Sequence, residues 1–172
     1  MPGGPPGRRA RGGAGAGPAA GGALYPPRLQ GLSVAARAAT SAIEAAHVHA
    51  LRVPFYLVDA GGGVYHGNYF ALFETAREAY LREAGFPYTA LMATGHHLTV
   101  AECRVRYLSP LLYDDDIAIE TDVVKLGRRS FTVRQRVRRG GELTTEAALA
   151  MVCIDRQGRP APLPEKLREA LG

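Results

Sequence analysis

Asp59 stands at the mouth of a glycine-rich run, Asp59-Ala-Gly-Gly-Gly-Val-Tyr-His-Gly-Asn-Tyr69, and a strongly helical pattern follows directly. The first peptide N–H groups of a helix have no intrahelical acceptor. An acid beside a set of free donors suits acyl chemistry: the carboxylate attacks or activates water, and the donors hold the developing oxyanion. Asp59 also has a plain structural use, as a turn residue that bonds its own backbone.

The element that must position this loop is the helix after it. Tyr69, Leu72, Phe73, Ala76 and Tyr80 recur at helical spacing, so the pattern predicts a helix from Tyr69 to Ala84. Asn68 suits its N-cap, and Gly85 with Pro87 marks its stop. Before the loop, His49 to Tyr56 reads as a strand that Pro54 confines to an edge or a bulge. Four strands are predicted after the helix, over His97 to Leu108, Asp116 to Lys125, Ser130 to Arg138 and Glu142 to Asp155. The first of these alternates Val100, Glu102, Arg104 and Arg106 against Ala101, Cys103, Val105 and Tyr107. Pro164 to Leu171 reads as a short closing helix. A single helix with one apolar stripe cannot bury itself, so an antiparallel sheet must wrap against it in an α+β fold.

Composition narrows the function classes. Residues 1–31 are mostly Gly, Pro, Ala and Arg and predict a disordered tail; 32–48 read as a short helix or linker, and 49–172 as the folded domain. The net charge of +5 comes from five arginines that precede the first acid, Glu44. From Glu44 onward 16 basic residues face 16 acidic ones, which leaves no electrostatic footprint for nucleic acid. Cys103 and Cys153 lie far apart, without metal-ligand spacing, and read as reduced thiols of a cytoplasmic protein. No apolar run reaches membrane-spanning length. The acid-free, arginine-containing N-terminus weakly resembles an organelle import signal, and a tail without function fits it as well.

These features together resemble the hotdog-fold acyl-CoA thioesterases of the 4-hydroxybenzoyl-CoA thioesterase and YbgC type. The resemblance covers roughly 50–171. It rests on the Asp59 loop, on Phe73-Glu-Thr-Ala-Arg in the helix, on Gly127-Arg-Arg-Ser-Phe before the fourth strand, and on Asp155-Arg-Gln-Gly-Arg-Pro with Leu163-Pro164. The family pattern commonly reads Asp-Thr-Asp before the glycines; here Leu57-Val58-Asp59 keeps only the second acid, and Gly63 replaces a usual valine. The implied fold is a sheet of about five antiparallel strands around one long central helix. The implied activity is hydrolysis of an acyl-CoA to a carboxylic acid and coenzyme A, by a homodimer or homotetramer without metal or redox cofactor.

Carried over by position, Asp59 is the nucleophile or general base, and the backbone N–H of His66 is the oxyanion donor. Gly62, with its neighbours, admits the acyl group without a Cβ clash, while Tyr65 and Asn68 shape the loop or touch substrate. Arg128, Arg129 and Ser130 are candidates for the phosphates of coenzyme A. Arg134, Arg136 and Arg138 divide between that role and a charged, solvated sheet face. Glu74, on the polar helix face, is a second candidate base, because other hotdog branches use a helix carboxylate. His96 and His97 lack partners for a metal, and Asp114-Asp115-Asp116 reads as a turn and strand start. Acyl depth is expected to depend on Phe70, Phe73, Leu91 and Met92. Two rivals remain: hydrolysis of acyl groups on an acidic acyl carrier protein, and a catalytically silent acyl-CoA-binding module.

Overall fold

A computed structural model describes Gly3 and residues 47–172. The expected tail, and the expected helix or linker up to residue 46, lie outside the described residues. The elements run β1 (His47–Arg52), α1 (Tyr69–Glu83), α2 (Tyr88–Ala93), β2 (His97–Tyr107), β3 (Asp116–Leu126), β4 (Ser130–Arg139), β5 (Glu142–Ile154) and α3 (Glu165–Leu171). The strands form one antiparallel sheet in the order β1-β3-β4-β5-β2, with α1 packed on its inner face. This is the α+β hotdog arrangement implied by the resemblance.

Alternation builds the inner face. Ile117, Ile119 and Thr121 of β3, Phe131, Val133, Gln135 and Val137 of β4, and Ala147, Leu149, Met151 and Cys153 of β5 are all buried. They meet Tyr69, Leu72, Phe73, Ala76 and Tyr80 of α1, the stripe read from the sequence. Burying a side chain such as Phe73 contributes about 2–3 kcal/mol.

The outer face is charged and ordered. Glu120, Arg136, Glu146 and Arg106 stand directly opposite one another across β3, β4, β5 and β2, alternating in sign. Opposite charges on facing positions of a sheet stabilise the pairing. Arg136 bridges Glu120 at 2.9 Å and Asp122 at 3.2 Å, Arg138 bonds Glu120 at 2.6 Å, and Arg134 bonds Asp122 at 3.0 Å.

Four expectations change. β1 starts at His47 and ends at Arg52, because after Pro54 the chain tightens into a 3-10 turn over Phe55–Leu57. The six-residue α2 is too short to show a helical period and is absent from the sequence reading. A bulge at Ala101 turns Val100 onto the inner face with Cys103, Val105 and Tyr107, away from Glu102, Arg104 and Arg106. Pro164 is the N-cap of α3, whose first residue is Glu165. Among the described residues no helix is long and apolar enough to cross a membrane.

Candidate active site

The glycine run folds as a tight hairpin. Val58 bridges Val64, the Asp59 N–H donates to the Gly63 carbonyl at 2.9 Å, and the Gly62 N–H donates to the Asp59 carbonyl at 3.0 Å. Gly62 has φ +86°, the left-handed region that glycine adopts without Cβ strain. The Gly61 N–H donates to Asp59 Oδ1 at 2.8 Å, so the structural use of Asp59 is present. Its other carboxylate oxygen has no hydrogen-bond partner among the described residues, and the side chain is exposed. Oδ1 thus holds the turn and Oδ2 takes no part in it.

The hairpin is stitched to the start of α1. Tyr65 N–H donates to the Leu57 carbonyl at 3.0 Å, and His66–Asn68 forms a 3-10 turn that runs straight into α1. His66 opens that turn, so its N–H comes before any intrahelical acceptor. Its ring packs against Tyr65 with centroids 4.2 Å apart, while Tyr107 Oη donates to its carbonyl at 3.0 Å. Burial comes first in pushing the Tyr107 hydroxyl up from its ordinary value. A Cβ on Gly67 would lie 2.9 Å from the Tyr65 ring, so a side chain there would displace that ring. Asn68 occupies the N-cap position without a side-chain capping bond. Its Nδ2 instead donates to the Leu57 carbonyl at 2.9 Å, correcting the expected cap. The helix gains its entry from the 3-10 turn, which leaves the Asn68 amide to lock the hairpin. Tyr69 Oη accepts from Leu111 N–H at 3.2 Å and holds the facing loop.

Glu74 points toward a different structure. It pairs with Arg77, whose guanidinium is buried and donates to Gln135 Oε1 at 3.0 Å. Gln135 Nε2 in turn donates to the Phe73 carbonyl at 3.0 Å and to Thr121 at 3.2 Å. Glu74 thus engages Arg77 through one carboxylate oxygen, Oε2. The pair lines a cavity of about 60 Å³ between α1, α2 and the sheet, where Glu74, Arg77 and Glu78 of the helix face Leu98, Val100 and Phe131. None of the expected depth residues lines it: Phe73 and Leu91 are fully buried, and Phe70 and Met92 are exposed.

Arg128, Arg129 and Ser130 are exposed in the β3–β4 turn, where the two arginines have no acidic partner among the described residues. Their backbone is anchored, since the Arg128 and Arg129 carbonyls accept from Leu163 N–H and Cys153 N–H, both at 2.9 Å. The Asp59 hairpin sits at the opposite end of β3, beside Leu111 and Leu112. The length of β3 separates the two groups, about 30 Å at the usual rise per residue. Within one chain the structure does not bring them together. Arg134, Arg136 and Arg138 belong to the outer-face ion pairs with Glu120 and Asp122. Asp114 and Asp116 pair with Arg52, and Asp115 with Arg139, which matches the turn reading. Among the described residues no group of three or more His, Cys, Asp or Glu is arranged to hold a metal.

Residues 53–171 match the model of the thioesterase-like superfamily. The chain belongs to that superfamily. It is 32% identical over 124 residues to a putative esterase of Aquifex aeolicus, covering 72% of this chain and 96% of that protein. It is 35% identical over 119 residues to the acyl-CoA thioester hydrolase YbgC of Escherichia coli, covering 68% of this chain and 89% of the relative. A thioesterase of Thermus thermophilus, solved in complex with coenzyme A and Zn, superposes with TM-score 0.65 at 30% identity, covering 74% of this chain and 92% of that one. The matched span includes the Asp59 hairpin and the start of α1.

Tyr107, Tyr69, Gln135 and Arg77 had no role in the sequence reading. Tyr107 and Gln135 were placed on strands correctly, and Tyr69 on the helix stripe. The contacts that give them roles span 41, 42 and 58 positions of chain, and no local pattern reports such contacts.

Proposed function

We infer that this thioesterase-like chain hydrolyses acyl-CoA thioesters to a carboxylic acid and coenzyme A. The observation that carries it is the Asp59 hairpin, which offers a carboxylate oxygen without a partner on the segment that leads into the opening turn of α1. The His66 N–H, aided by the positive end of the helix dipole, polarises the thioester carbonyl. Asp59 then removes a proton from the water that attacks the carbonyl carbon, or attacks that carbon itself, in which case loss of the thiolate leaves an Asp59 anhydride that a water molecule hydrolyses to free the acid and restore the carboxylate. The tetrahedral intermediate collapses with departure of the coenzyme A thiolate, a leaving group that needs no strong general acid. No metal or redox step enters this scheme. Gly62, Tyr65 and Asn68 hold the loop open and in register.

Two copies make one working unit in this reading. The hairpin and Arg128, Arg129 and Ser130 lie at opposite ends of the sheet, so a two-fold mate that reverses the sheet direction brings the partner's arginines toward the hairpin. There they bind the 3′-phosphate and pyrophosphate of coenzyme A. The free thiols Cys103 and Cys153 fit a reducing, cytoplasmic setting.

The test is thiol release from acetyl-, hexanoyl-, palmitoyl- and benzoyl-CoA, alongside the same acyl groups on acyl carrier protein. At least one CoA thioester is expected to turn over, and Asp59→Asn is expected to abolish that turnover. Turnover only on the carrier protein, or none on any substrate, overturns the reading.

A further inference from the structure

The turn that opens α1 begins with two unengaged peptide N–H groups. His66 and Gly67 are its first residues, and neither N–H has an acceptor among the described residues. The third residue, Asn68, already donates to the Tyr65 carbonyl at 2.8 Å. Successive N–H groups at a helix start point the same way and can share one anionic oxygen. Most helix starts have such donors. This one also has a hydroxyl on the other end of the same peptide.

Tyr107 ends β2, and its Oη donates to the His66 carbonyl at 3.0 Å. That carbonyl belongs to the peptide whose N–H is that of Gly67. A proton donated to an amide oxygen draws charge from the amide nitrogen, so the N–H becomes a stronger donor. Hydrogen bonds linked in this way strengthen one another by about 10–30% each. The phenol is firmly placed. The Leu108 and Ser109 N–H groups both donate to the Thr144 carbonyl, at 2.8 and 3.0 Å, and pin the end of the strand. The ring meets Tyr69 edge-on with centroids 5.0 Å apart, and Tyr69 Oη accepts from Leu111 N–H. Burial, and then the Cys103 thiol, push the hydroxyl up, so it keeps its proton through neutral pH. Thr145, opposite it on β5, does not titrate. Bracing the turn does not require this bond, because Asn68 already ties it twice: its N–H to the Tyr65 carbonyl and its side chain to the Leu57 carbonyl.

We propose that Tyr107 is a positioning residue that strengthens the Gly67 N–H, and that this N–H binds the thioester oxygen together with the His66 N–H. The inference rests on reading the hairpin as a thioester site. As the carbonyl carbon becomes tetrahedral its oxygen gains charge, and two donors share it. Tyr107 touches neither the substrate nor the attacking water, and its proton stays in place. Its effect falls where charge develops, on kcat more than on KM.

The backbone amides supply the first readout. Full-length protein labelled with nitrogen-15 is titrated with ketone analogues of acetyl-, hexanoyl-, palmitoyl- and benzoyl-CoA, in which a methylene replaces the thioester sulfur. At least one analogue is expected to move both the His66 and the Gly67 amide protons downfield. In Tyr107→Phe the Gly67 shift should shrink and the His66 shift should persist. A shift confined to His66, or none with any analogue, overturns the proposal. On a substrate that turns over, Tyr107→Phe should lower kcat about tenfold with KM nearly unchanged. Where that variant fails to fold, 3-fluorotyrosine at position 107 keeps the ring and makes its hydroxyl more acidic. The decline of kcat at alkaline pH should then begin at a lower pH than in wild type, because a phenolate no longer donates; an unchanged profile overturns the role of Tyr107. A wild-type chain in which both amides move but no thioester is hydrolysed supports the paired donors and sinks only the hydrolase reading.

Discussion

Asp59 divides its two oxygens between structure and chemistry, and substitutions separate them. Asp59→Asn keeps an acceptor for the Gly61 N–H and removes the charge, so kcat is expected to fall by roughly 10²–10⁴ with an unchanged melting temperature. Asp59→Ala should lose the same activity and about 1 kcal/mol of stability besides, read from urea denaturation. Glu74→Gln serves as the contrast, since its carboxylate is engaged with Arg77, and a loss of less than about tenfold is expected. A second acid lends itself to a pH experiment. Asp155 lies below the ordinary carboxylate range, chiefly through the Arg159 N–H that donates to Oδ1. A folded value below the unfolded one adds stability above the ordinary aspartate range, and that stability is lost as pH falls through the depressed value. Thermal melts of wild type and Asp155→Asn should therefore differ at neutral pH and converge under acid conditions.

At the level of elements, the join between α1 and the sheet depends on one buried amide. Gln135 accepts from Arg77 and donates to the carbonyl of Phe73, so it fixes the helix to β4 at its first turns. Gln135→Leu fits the volume but leaves a buried guanidinium short of an acceptor. A loss of about 2–3 kcal/mol is expected, measured as a lower urea midpoint with an unchanged slope. The helix itself was legible because Tyr69, Leu72, Phe73, Ala76 and Tyr80 repeat at 3.6-residue spacing, and the strands because they alternate. Its neighbour α2 was not legible, since six residues span less than two turns. The packing of Tyr88, Ala90 and Leu91 on the core and the Leu98 N–H, which donates to Tyr88 Oη at 3.2 Å, hold it in place.

For the whole molecule, the distance between the hairpin and the β3–β4 turn is the governing fact. If the arginines act on coenzyme A across two subunits, Arg128→Ala with Arg129→Ala should raise KM for a CoA thioester about tenfold or more and leave kcat nearly unchanged. A pantetheine thioester, which lacks the nucleotide, should not distinguish the variant from wild type. Equal effects on both substrates would place the arginines outside the nucleotide site. The outer-face arginines give the matching control: Arg134, Arg136 and Arg138 are tied to Glu120 and Asp122, so replacing them should alter stability more than KM.

The sequence by itself determined the parts whose causes are local: the acid and glycines of the hairpin, the helix that follows, the alternating strands, and the charge balance after Glu44. Each of these is written in residues a few positions apart, where sterics and burial act directly. Tertiary structure alone decided the strand order β1-β3-β4-β5-β2, the bulge that turned Val100 inward, the bond that took Asn68 away from capping, and the placing of Arg128 and Arg129 far from Asp59. Those outcomes depend on which surfaces meet across dozens of residues of chain, and that is settled by the joint packing of the core.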